Sequence, residues 1–175
     1  MSTISLSDLQ YMDRETLASS FSSPESPSQR QLPASTAVID VRDSDHIGGH
    51  IRGSTWVPSS QLDYKMPELV RALHGKDTVV FHCALSQQRG PSAALRYLRE
   101  KQRLQPHAAV ESKGVVSEES RAVDSEEKEE DKEAEGSKKQ KVFVLRGGFT
   151  MWQEKYGEDV ELTEEYKKDI WEFGS

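Results

Sequence analysis

Thr78-Val79-Val80-Phe81-His82-Cys83-Ala84-Leu85-Ser86-Gln87-Gln88-Arg89-Gly90-Pro91 is the stretch on which the fold turns. Its apolar opening, Thr78–Phe81, reads as a short buried strand, and the run Ser92 to Gln102 beyond it reads as a helix. Pro91 suits a first helical turn, where its missing N–H costs little. Gly90 suits a place where two backbones crowd together. Between strand and helix stand the chain's single cysteine, Cys83, and, after five intervening residues, Arg89.

That spacing at a strand-to-helix turn predicts a cradle for a tetrahedral oxyanion. The amides of Ala84, Leu85, Ser86, Gln87, Gln88 and Arg89 converge on one anion, and the helix start adds partial positive charge. Arg89 offers two parallel N–H donors to phosphate-like oxygens. The same field favours the thiolate, which makes Cys83 a nucleophile at the cradle floor. A lone cysteine is more often a small buried apolar residue; the strand, loop and helix around this one favour the chemical reading.

Working outward, Ala37-Val38-Ile39-Asp40-Val41, Thr55-Trp56-Val57 and Val142-Phe143-Val144-Leu145 read as further short strands. Ile4–Leu6 reads as a strand, Asp8–Leu17 and Pro67–Leu73 as helices, and Phe149–Tyr156 as a helix after the Gly147-Gly148 turn. Thr163–Trp171 reads as a closing amphipathic stretch. Short apolar strands alternating with helices predict an α/β fold, a parallel sheet flanked by helices on both faces. In such sheets ligands bind beyond the carboxyl ends of the strands, where Cys83 falls.

Charged residues make up 30% of the 175 and hydrophobic ones 34%, and the apolar deficit is local. Residues 108–141 hold eleven acids against seven bases and no aromatic ring, supplying −4 of the net charge of −7. Such a stretch cannot bury enough apolar surface to offset its ordering entropy, so it reads as a disordered acidic insertion. Residues 22–35, rich in Ser and Pro, read as a loop. The remaining residues suffice for one hydrophobic core. No broad basic face predicts nucleic-acid binding, no apolar run spans a bilayer, and the first residues lack a secretory layout. One cysteine allows no internal disulfide. These readings place the chain in the cytoplasm, with the nucleus as a second location.

Three separated runs coincide in order. They are Val38-Ile39-Asp40-Val41-Arg42 with Gly48-Gly49-His50-Ile51-Arg52-Gly53-Ser54, the loop His82–Pro91, and Leu145-Arg146-Gly147-Gly148-Phe149-Thr150-Met151-Trp152. Together they resemble the rhodanese fold, which implies one rhodanese-like domain over residues 1–175. The loop length, with Ser86 at its middle and Arg89-Gly90-Pro91 closing it, resembles the CDC-twenty-five-type dual-specificity phosphatases and the Acr-type arsenate reductases, in their small fungal and plant forms.

The resemblance implies Cys83 as nucleophile and Arg89 as oxyanion clamp, with His82, Asp40 and Arg42 in support. His82 is equally a buried residue that shapes the loop, and Ser86 either donates to the reacting group or stabilises the turn. Asp43 and Asp45 are candidate partners for Arg42 and candidate proton donors; His50 reads as a structural hydrogen-bonding residue. His46 and His74 show no partner pattern, and no metal site is indicated. Gln88 stands where the cell-cycle phosphatases carry an acid, and their second, resolving cysteine is absent.

The first functional reading is therefore a cysteine-dependent phosphatase, of tyrosine or dual specificity, working through a phosphocysteine without a cofactor. Its partners would be phosphorylated proteins or small aryl phosphates. The alternative is arsenate reduction on the same cradle, with electrons from glutathione and glutaredoxin. A sulfurtransferase fits the loop length poorly, and a non-catalytic scaffold leaves the Cys83/Arg89 pair without a use.

Overall fold

A computed structural model describes residues 4–21, 30–104 and 140–174. Expectations for residues 22–29 and 105–139 lie outside the described residues. Among the described residues these strands and α-helices follow in chain order: β1 (Gln10–Met12), α1 (Arg14–Ser20), β2 (Thr36–Asp40), β3 (His50–Ile51), β4 (Thr55–Trp56), α2 (Leu62–Ala72), β5 (Thr78–His82), α3 (Arg89–Leu104), β6 (Lys141–Leu145), α4 (Gly148–Tyr156) and β7 (Thr163–Glu164). Five strands form one sheet in the order β1-β6-β5-β2-β4, every pairing parallel. β3 and β7 pair antiparallel beside it.

β5 lies at the centre, buried from Val79 to His82, as its apolar run predicts. Side chains alternate across the sheet with a period of two. Val79 and Phe81 therefore pack with Ile39, Val41, Val144 and the inner sides of α2 and α3. Val80 packs the other way, with Val38, Leu17, Phe149 and Trp152. Helices thus cover both faces, as expected for a buried parallel sheet. The register sets Asp40 beside His82 at the carboxyl edge.

Several boundaries differ from the sequence reading, each for a local reason. The N-terminal strand is Gln10–Met12, not Ile4–Leu6. Residues Leu6–Asp8 instead close a single 3₁₀ turn, because the Asp8 carboxylate accepts the Ser5 N–H at 2.8 Å. The following helix accordingly starts at Arg14. α2 begins at Leu62 and carries Pro67 in its interior. That proline forfeits one backbone bond, and the buried Leu62, Met66, Leu69 and Val70 hold the helix against it. α3 begins at Arg89 itself, with Pro91 in its first turn.

The closing stretch is not one helix. Thr163–Glu164 pairs with His50–Ile51, Glu165 takes a left-handed φ of 53°, and helical turns appear only from residue 168 onward, through Ile170–Gly174. At the borders of the two low-complexity readings, Leu32 packs against the core on the α4 side. Gln140 donates to the carbonyls of Leu73 and Lys76, and Lys141 opens β6. Composition averaged over the acidic stretch hid both residues.

Candidate active site

Residues 83–88 leave the carboxyl end of β5 and return as the first turn of α3. Cys83 is 3% exposed, and its Sγ accepts the Ser86 N–H at 3.1 Å. Cys83, Ala84, Leu85, Gln87, Gln88 and Arg89 line an open cavity of about 290 Å³. Ser86 is not among them. It is buried with a left-handed φ of 56°, its amide is committed to the sulfur, and its hydroxyl lacks a hydrogen-bond partner among the described residues. A non-glycine residue in that region stores strain. Here the turn it makes folds the loop back over the thiol.

Two neighbours fix the loop. A Cβ on Gly90 would stand 3.3 Å from both the His82 Cα and the Ser86 Oγ, so a glycine lets α3 close onto the strand end. From the other side, the first amides of α4 reach the loop's carbonyls: Phe149 N–H to Cys83 O at 3.0 Å and Thr150 N–H to Ala84 O at 2.9 Å. Carbonyls held on the α4 side leave the following amides free to turn toward the cavity. The glycine pair at 147–148 marked a turn in the sequence, but nothing local revealed that the helix after it braces Cys83.

Behind the cavity lies a buried charge pair. Arg42 and Asp40 are both fully buried, and Arg42 donates Nε and Nη2 to the Asp40 carboxylate at 3.0 and 2.7 Å. Nη2 also reaches Gly49 O at 2.9 Å, and the guanidinium lies 4.4 Å above the Phe149 ring. Burial opposes ionisation of Asp40, yet His82 wherever it is protonated, and Arg42 throughout, hold its carboxyl below the usual range. Asp43 and Asp45 are not the partners of Arg42. Residues two apart on an extended segment share a face, which favours Asp40 over the two acids in the turn beyond.

His82 is fully buried, and its Nδ1 lies 3.0 Å from the Cys83 carbonyl. A carbonyl only accepts, so Nδ1 carries the proton. Burial pushes the imidazole below its ordinary value despite the pull of Asp40, which leaves Nε2 without a proton. Nε2 lies 3.8 Å from Asp40 Oδ2 and has no hydrogen bond among the described residues. His82 is thus tied to the loop's backbone and is not among the residues that line the cavity.

Arg89 faces two carboxylates. Nη1 and Nη2 donate to Asp45 at 2.9 and 2.6 Å, and Nη1 also reaches Asp43 at 3.3 Å. These bonds, led by Asp45, raise the guanidinium's affinity for its proton, while Arg89 holds the Asp45 carboxyl down to about 2. Burial resists ionisation of Asp43, but Ser59, Ser60 and Arg89 outweigh it. Further out, His46 stacks on half-exposed Trp56 at 4.2 Å, with its Nε2 3.5 Å from Asp40. The linear sequence showed no partner for His46, because this contact joins the turn after β2 to an edge strand. His50 bonds Glu164 at 3.0 Å, within the β3–β7 pair.

This geometry agrees with what the chain resembles: a family model described as the rhodanese-like domain matches residues 26–155. The chain belongs to the rhodanese-like domain family. Among its relatives, the CDC25-like phosphatase YCH1 of Saccharomyces cerevisiae is 34% identical over 145 residues, covering 77% of this chain and 76% of the relative. Arsenate reductase 2.2 of rice is 52% identical over 63 residues, 35% of this chain and 48% of the relative. The solved structure of an As-Sb reductase from Leishmania major superposes with a TM-score of 0.57 at 27% identity, covering 86% of this chain and 81% of that one. The rhodanese-like relatives thus carry two kinds of name, phosphatase and arsenate reductase. No helix among the described residues is long and apolar enough to cross a membrane.

Proposed function

We propose that this rhodanese-like domain is a cysteine-dependent phosphatase of the CDC25-like kind, acting on phosphorylated proteins or small aryl phosphates. One observation carries the reading: Cys83 Sγ, fixed by the Ser86 amide, shares an open cavity with the loop residues and Arg89. Cys83 attacks the phosphoryl group in line and forms a phosphocysteine that water hydrolyses. The loop amides and Arg89 stabilise the charge spread over the equatorial oxygens.

Among the described residues no carboxylic acid lines the cavity. Asp45 is held at about 2 and so is ionised at neutral pH, which removes it as a proton donor while Arg89 grips it. The leaving group must therefore depart with little help, which favours phenolates. The test is hydrolysis of p-nitrophenyl phosphate by the reduced protein beside Cys83→Ser. Turnover abolished in the variant supports the reading; turnover that survives it, or none in the parent, overturns it.

Arsenate reduction is the second reading, favoured by Gln88: an uncharged residue in the cavity wall spares a small mono- or dianion repulsion. Cys83 would attack arsenic, and glutathione with glutaredoxin would supply the electrons, since the chain has no second cysteine. Arsenate-dependent consumption of NADPH in a glutaredoxin-coupled assay tests it, and a flat trace rejects it. Inactivity in both assays would leave a rhodanese-fold scaffold.

A further inference from the structure

We infer that Asp45, supported by Asp43, is the positioning residue that aims Arg89 at the oxyanion. The inference rests on reading the loop as an anion cradle. A guanidinium has two donor edges, an end edge of Nη1 and Nη2 and a side edge of Nε and Nη2, each able to grip two oxygens. Asp45 takes the end edge with both its oxygens, at 2.9 and 2.6 Å, and Asp43 takes a further bond to Nη1 at 3.3 Å. The side edge is left over. Among the described residues no hydrogen bond engages Arg89 Nε, and Arg89 lines the same cavity as Cys83.

An ordinary surface ion pair joins two loose side chains and orders little. This one does not, because both carboxylates are themselves held. Asp45 Oδ1 accepts the Asp43 N–H at 2.8 Å. Asp43 accepts the Ser60 N–H at 3.0 Å and the Ser59 hydroxyl at 2.5 Å. The turn is closed by His46 N–H to Asp43 O at 3.0 Å. The order of support runs from the 59–60 turn to Asp43, from the 43–46 turn to Asp45, and from both acids to Arg89. A long side chain is thereby fixed before the anion arrives, which removes part of the entropy cost of binding it.

The opposing effect is repulsion: two carboxylates near an anion site lower its affinity. Fixing Arg89 outweighs it if Asp45→Asn weakens anion binding even though a negative charge is lost. The experiment is titration calorimetry of the full chain with inorganic phosphate, on the parent, Asp45→Asn, Asp45→Glu, Arg89→Lys and the double variant. It needs no turnover, so it reads Asp45 whether or not the chain is a phosphatase. The expected result is phosphate binding about tenfold weaker in Asp45→Asn, partly restored in Asp45→Glu, with no further loss when Asp45→Asn is added to Arg89→Lys. Binding as tight as the parent's, or tighter, in Asp45→Asn overturns the inference and makes Asp45 a competitor for Arg89. An equal loss in the Arg89→Lys background also overturns it, because the effect would then not pass through Arg89.

Discussion

The Phe149 amide donates to the Cys83 carbonyl, and the residue before it, Gly148, lies so close to the loop that a Cβ there would stand 2.4 Å from Ala84 O. Gly148 also has a left-handed φ of 60°. Strand β6 and helix α4 are thus joined at a point that only a glycine permits, and that point sets the position of Cys83's own peptide.

Gly148→Ala is therefore expected to push the loop off its brace and to add backbone strain. The cost in stability is about 1–3 kcal/mol. Urea unfolding would read that cost, and turnover of an aryl phosphate would fall further than stability alone explains. A variant with parent-like activity would show that α4 does not position Cys83.

Arg42→Leu strands the Asp40 carboxylate in the interior. Breaking one side of a buried pair costs about 3–5 kcal/mol, close to the whole stability of many domains. The prediction is a large loss in the urea midpoint, or failure to fold. Replacing Asp40 as well, in Asp40→Leu with Arg42→Leu, is expected to recover a substantial part. Equal loss in the single and double variants would contradict the pairing.

Stability is expected to fall with acidity in two stages. Burial depresses His82, so the unfolded chain takes up its proton first, near 6.5. Stability from a neutral buried histidine is complete above that value and declines below it. Asp40 and Asp43 lie below their usual range and Asp45 at about 2, so their contribution is present above about 4 and is lost as pH falls toward 2. Urea midpoints at pH 7, 5 and 3 check both stages. His82→Asn should shrink the first stage, which His46 shares through its own burial, while the second persists through Asp43 and Asp45.

Leaving-group dependence follows from the cavity lining. With no acid to protonate a departing alkoxide, kcat/KM for phenyl phosphate should exceed that for a simple alkyl phosphate by about a hundredfold or more. Equal values would mean that a proton donor reaches the leaving oxygen.

The readable parts of this chain were the local ones. Thr78–Phe81 declares a central strand through its apolar run, and the spacing of Cys83, Arg89, Gly90 and Pro91 marks the strand-to-helix turn that the structure shows. The sequence singles out Asp40 and Arg42 but not their mutual pairing, because it depends on which face of β2 each side chain takes. The grip of Asp45 on Arg89, the stacking of His46 on Trp56 and the amides of α4 beneath Cys83 all join segments distant in sequence. No periodicity announces such contacts, and only the sheet order brings them together.

That sheet order has a consequence for the chain as it is made. β6 lies between β1 and β5, and among the described residues β1 pairs with no other strand. An emerging polypeptide therefore displays Cys83 and Arg89 well before β6 and α4 exist to close the sheet and hold the loop. At about 5–20 residues per second, the thiol spends several seconds of translation on a half-built platform. The bonds that hold the carbonyls of Cys83 and Ala84 come into being only once residues 149 and 150 have left the ribosome.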